Sequence, residues 1–212
     1  MTTHSEDAII SRKRPWLPTV FMDPPDKLDE TWTHGFLLIG HGDWQPLSDG
    51  DLASVYRDAT LRLIDAALDS GDLWRSSFPA LFMCRHTLEL YLKSIIPNWR
   101  NLAGQSKGNK NGHDIGIISA TLRDLLKSRY PDGQVEALCS FIEEFDRLDP
   151  KAMAFRFANG ARASFSNSGP HSAPPVEIWV DFRNLRTSIA AVFDALERLP
   201  CATIGGEHDH SD

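Results

Sequence analysis

One window constrains this chain more than any other: FPALFMCRHTLELYLKSII, residues 78–96. Pro79 falls in a first helical turn, where its missing N–H costs nothing, and Pro97 marks the expected far end. Successive residues of a helix stand about 100° apart. Unrolled on that basis, Leu81, Cys84, Leu88, Leu92 and Ile95 lie along one line, with Met83 and Leu90 nearly opposite. A helix apolar on most of its circumference belongs in the middle of a bundle. Arg85, Glu89, Lys93 and, at the edge, His86 fill a strip between the two apolar sides. That strip is expected in a partly buried cleft or an oligomer interface, not in open water.

Arg85 to Glu89 and Glu89 to Lys93 are both i, i+4 pairs, so one carboxylate can neutralise either cation or both. Exposed pairs of this kind contribute only about 0.3–0.5 kcal/mol. Desolvated ones must be satisfied or they cost several kcal/mol. Two uses fit the strip: a charge ladder that fixes packing, or an anion pocket in which Arg supplies a planar fork, Lys a point charge, and Glu holds both. Periodicity does not separate them.

The rest of the chain reads mainly as helix. Ser48 can cap a first helix that Ser70-Gly71 stops, with Leu52, Val55, Tyr56, Ala59, Leu63, Ala66 and Ala67 at helical spacing. Residues 97–112 form a polar, Gly-rich loop, and Asp114 caps a third helix with Ile117, Ile118, Leu122, Leu125 and Leu126 inward. After a turn at 130–133 a fourth helix runs from Gln134 to about Leu148, burying Val135, Leu138, Phe141, Ile142 and Phe145. The last, from about Asp181 to Leu199, buries Leu185, Ile189, Val192, Phe193 and Leu196. Between them, MAFRFA (153–158) and VEIWVDF (176–182) switch to period two, which predicts two short strands. On such a strand Arg156 points away from Phe155 and Phe157. The expected architecture is mainly α: an irregular N-terminal arm (1–47), an up-and-down bundle of about five helices with a small β insertion (48–200), and a flexible tail (201–212).

Composition narrows the function classes. A net charge of −7 repels phosphate backbones, so a nucleic-acid contact needs a local basic patch. Cys84, Cys139 and Cys201 lack metal-ligand spacing, and the first two lie in apolar helical pattern, which predicts reduced thiols and a cytoplasmic protein. No signal-type apolar segment and no stretch of about 20 apolar residues occurs, so neither secretion nor a membrane partner is expected. Phosphate-loop, dinucleotide and nucleophile-elbow patterns are missing. His208 and His210 lack a third fixed ligand, and Gly40-His-Gly42, with His34 and Asp43 nearby, reads as a turn. No metal or cofactor is expected.

The RHxxELxLK helix (Arg85 to Lys93), the Gly-His-Asp helix start (Gly112 to Asp114) and the later Asp149-Pro150 followed by Phe155-Arg-Phe157 together resemble the HEPN-like α-helical proteins, over roughly residues 50–199. The resemblance implies a helical bundle that often dimerises, in a superfamily of RNA endonucleases, nucleotide-associated domains and inactive partner-binding members, many tied to toxin–antitoxin and antiphage defence. Its ribonucleases share an Arg followed four to six positions later by His, and no Arg–His pair in this chain has that spacing. RNA cleavage would need a base for a 2′-hydroxyl and cations for the developing phosphorane charge. The candidates are His113 or His86 as acid/base, Glu89 beside them, and Arg85, Lys93 and Arg156 as cations. His113 could instead cap and pack, its ring hydrogen-bonded to Glu89. Two functions follow as expectations. One is a binding module, dimeric through the face of the second helix, engaging a nucleotide, nucleic acid or partner protein in a stress or defence setting. The other is a metal-independent RNA endonuclease with an unorthodox His/Arg/Glu/Lys cluster.

Overall fold

A computed structural model describes residues 47–104, 113–156 and 178–199, all within the unit Leu47–Asp212. The arm, the tail, Cys201 and the histidines of both ends lie outside the described residues. Those residues form a helical bundle of five helices: α1 (Asp49–Ser70), α2 (Leu73–Leu102), α3 (Ile115–Leu126), α4 (Asp132–Leu148) and α5 (Phe182–Arg198). Helix α2 is the hub, packed against α1, α3 and α5, while α3 pairs with α4 and α5 returns along α1. No described helix is long and apolar enough to cross a membrane.

Local chemistry sets most boundaries. Ser48 and Asp51 form a reciprocal capping box at the start of α1, and Gly71 ends it with a left-handed φ of 70°. Asp72 follows at once and accepts the Arg75 N–H, so α2 starts at Leu73, five residues before the expected Phe78. It also continues through Pro97 to Leu102. Each internal proline removes a helical hydrogen bond. Packing outweighs the loss at Pro97: two residues on, Trp99 is buried, with its ring 6.1 Å from that of Tyr130.

The α2 line of Leu81, Cys84, Leu88, Leu92 and Ile95 is buried throughout. The inward residues expected for α5 are buried too, and α4 buries Val135, Cys139, Ile142 and Phe145. Two faces differ from expectation. On α1 the buried set is Ala53, Thr60, Ile64 and Ala67, leaving Val55 exposed. There the Thr60 and Thr87 hydroxyls meet at 3.2 Å, and hydroxyls this small let α1 and α2 approach closely. On α3, Ile117 is exposed because it shares its ridge with polar Thr121 and Asp124.

The β insertion is not found in the described parts of its two segments. Residues 154–156 are turns, and 178–181 have no regular structure before α5 begins at Phe182. Two capping carboxylates account for this. Asp149 accepts the N–H groups of Met153 (2.6 Å) and Ala154 (2.8 Å), folding the chain back on itself through Ala152, whose φ is 55°. Asp181 accepts from Arg183 and Asn184 and starts a helix where alternation predicted a strand.

Candidate functional site

The polar strip of α2 is buried where its charges are densest: Arg85 and Glu89 are 2% and 4% exposed. Burial at that level demands partners. Arg85 spends all three of its nitrogens inside the protein. Its Nε donates to the Asp149 carbonyl (3.1 Å), Nη2 to the His113 carbonyl (2.8 Å) and Nη1 to Glu89 Oε2 (3.2 Å). One guanidinium therefore ties the hub helix to the residue before α3's cap and to the end of α4. The Asp149 carboxylate, wholly buried, leaves Oδ2 without a hydrogen bond but 3.8 Å from Arg85 Nε, so the cation compensates it.

Glu89 collects the remaining donors. Its Oε1 accepts from Lys93 Nζ at 2.6 Å and meets His113 Nδ1 at 2.7 Å. Burial pushes the Glu89 carboxyl up, but hydrogen bonds from Lys93 and His113 and the charges of both outweigh it, so the group is held below its usual range. An ionised carboxylate only accepts, so His113 Nδ1 carries a proton. In the neutral ring Nε2 is then the basic nitrogen. The His113 side chain is 77% exposed, so the base faces accessible space while Glu89 fixes its ring.

His86 occupies the edge of the strip. It stacks on Phe82 (centroids 5.8 Å apart, planes 9° apart) and meets Tyr56 edge-on at 4.7 Å. Burial lowers its pKa; Lys93, Arg156 and Arg85 push the same way, against Glu89. Arg156 stands at the surface with its guanidinium 5.5 Å from the Phe82 ring centroid. Its expected separation from buried Phe155 holds, although a turn and not a strand produces it.

Arg85, His86 and Glu89 from α2, His113 before α3, and Arg156 after α4 line one hollow of about 140 Å³, with Phe82 and Ala152 completing the wall. Lys93 is not part of that lining; it acts on the hollow through Glu89. The volume falls below the ~300–1,000 Å³ of pockets that enclose whole drug-sized ligands. It suits one phosphate-sized group with the rest of the ligand outside. A cation at the rim, an oriented base and an aromatic wall can hold such a group and exchange a proton with it. Among the described residues no cluster of three His, Cys, Asp or Glu could hold a metal ion.

Sequence reading missed Asp149 as a site-building residue, although the Asp149-Pro150 pair was its signal. Gly116 was missed as well. A Cβ there would stand 2.5 Å from Asp146 Oδ2, so glycine allows α3's first turn, next to His113, to seat against α4. Burial and the nearby Asp114 carboxylate raise the Asp146 pKa.

Compared with protein families, with curated proteins and with solved structures, the chain gives no match.

Proposed function

We propose that this chain is a HEPN-like binding module whose hollow takes the phosphate of a nucleotide or nucleic acid, in a stress or defence setting. The carrying observation is that Glu89, His113 and Arg156, far apart in sequence, line one solvent-reachable hollow. The resemblance gains support from Arg85, through which its three sequence pieces touch: RHxxELxLK, Gly-His-Asp and Asp-Pro. Arg156 supplies a planar cation and His113 a donor when protonated, both exposed, while Arg85 and Glu89 are the frame that holds them. The buried strip offers little surface to a homodimer or a partner protein, so those partners would use other faces.

Calorimetric titration with a mononucleotide and with a short RNA tests the reading. Wild-type protein should bind, and Arg156→Ala and His113→Ala should weaken both ligands while leaving the fold intact. Absence of binding by the wild type to either ligand would refute it.

A second reading, the metal-independent endonuclease, draws on one observation: the Glu89–His113 pair has the carboxylate–imidazole geometry of a general base. RNA cleavage that persists with chelator and disappears in His113→Ala would put this reading first.

A further inference from the structure

Trp74, Phe78, Phe82 and His86 repeat every fourth residue along α2 and so form one ridge of the helix. The ridge is open at its start and closes toward the hollow. Trp74 is 88% exposed and Phe78 46%, whereas Phe82 and His86 are half-buried and line the hollow itself. Packing explains the inner pair, stacked on each other, and only part of Phe78, whose ring lies 6.5 Å from that of Phe155. It does not explain Trp74. Isolated exposed apolar residues are ordinary, but four aromatic side chains in a row that end at a polar hollow are a patterned surface.

The charges beside the ridge indicate its occupant. Arg75, 84% exposed on its side chain, neighbours Trp74, and Arg156 lies over Phe82. Of the acids in contact with these groups, Asp72 is 3.8 Å from Arg75, and Glu89 is held by Arg85, Lys93 and His113. Aromatic rings flanked by guanidinium groups form a surface on which bases stack and phosphates are neutralised. Each ridge step advances about 6 Å along the helix axis. That exceeds the ~3.4 Å between nucleotides in a duplex strand, so the spacing suits an extended single strand.

We infer that the ridge is a stacking track for single-stranded nucleic acid, with bases on Trp74 and Phe78 and a phosphodiester seated in the hollow by Arg156 and His113. This rests on the phosphate-binding reading above and adds that the ligand is a strand, not a free nucleotide.

Fluorescence anisotropy with a labelled short oligouridylate, with UMP titrated in parallel by calorimetry, tests the assignment. Trp74→Ala should weaken oligouridylate binding about tenfold or more, the loss of one stacked base, with Phe78→Ala in the same direction. Trp74→Phe should retain most of the affinity. UMP binding should not change in the Trp74 variants, and Arg156→Ala should weaken both ligands. Trp74 is exposed, so its replacement does not threaten the fold. If UMP binds but both ridge alanine variants hold oligouridylate like wild type, the track is wrong and the phosphate site stands. If wild type binds neither ligand, both fail. If Trp74→Ala changes only the mass seen by light scattering, the ridge is a self-association contact and the inference is overturned.

Discussion

Two groups of ion pairs among the described residues differ in environment more than in distance. On the seam between α1 and α5, Arg57 reaches Asp194 at 2.6 Å, and Arg186 grips Asp65 at 2.7 and 3.1 Å. On the α2 strip, Arg85 lies 3.2 Å from Glu89, a longer contact. The seam side chains are 26–49% exposed, whereas those of Arg85 and Glu89 are 2% and 6%. Burial therefore decides which pairs matter. Seam charges that lose a partner regain water, while Arg85 or Glu89 would be left as a desolvated charge.

Arg85→Met should give the largest effect, a loss of about 3–5 kcal/mol in urea denaturation, because Glu89, the buried Asp149 carbonyl and the part-buried His113 carbonyl lose their donor. A loss no greater than that of a seam variant would erase the contrast. Gly116→Ala probes the same region by sterics: the added methyl must displace the Asp146 carboxylate, at about 1–3 kcal/mol, read by the shift in denaturation midpoint. Arg186→Ala on the seam should cost less than about 1 kcal/mol and shrink further in high salt.

The pH dependence sharpens the comparison with a smaller effect. Glu89 is held below 4.5, so its contribution is complete above that value and is lost as pH falls through the lowered one. His86 acts in the same direction. Its folded pKa lies below 6.5, so the unfolded chain binds the proton more readily between the two values, and stability rises with pH across that window. Denaturation midpoints measured across the acid range should rise toward neutrality, and His86→Gln should flatten the upper part of the rise. A variant with the wild-type slope would show that His86 does not contribute to it.

The helix faces and the half-hidden strip were legible because both are periodic: helical spacing alone put Arg85, Glu89 and Lys93 between two apolar sides. The fate of Arg85 was not legible, since two of its three acceptors are backbone carbonyls, which no side chain at positions 113 and 149 encodes. The strand expectation failed at 153–156 because a period-two pattern cannot register that the Asp149 carboxylate folds the backbone back. The aromatic ridge lay in the sequence at constant spacing. Reading Pro79 as a helix start hid it, by placing Trp74 and Phe78 at or before the end of the helix instead of on its surface.

The central claim is that the hollow framed by Arg85 and Glu89 receives a phosphate. The most direct measurement is NMR of the histidine side-chain resonances during titration with UMP. The expected result is saturable shifts of the His113 and His86 ring signals that need higher UMP concentrations in Arg156→Ala. Unmoved His113 and His86 signals at a UMP concentration that saturates binding elsewhere on the protein would contradict it.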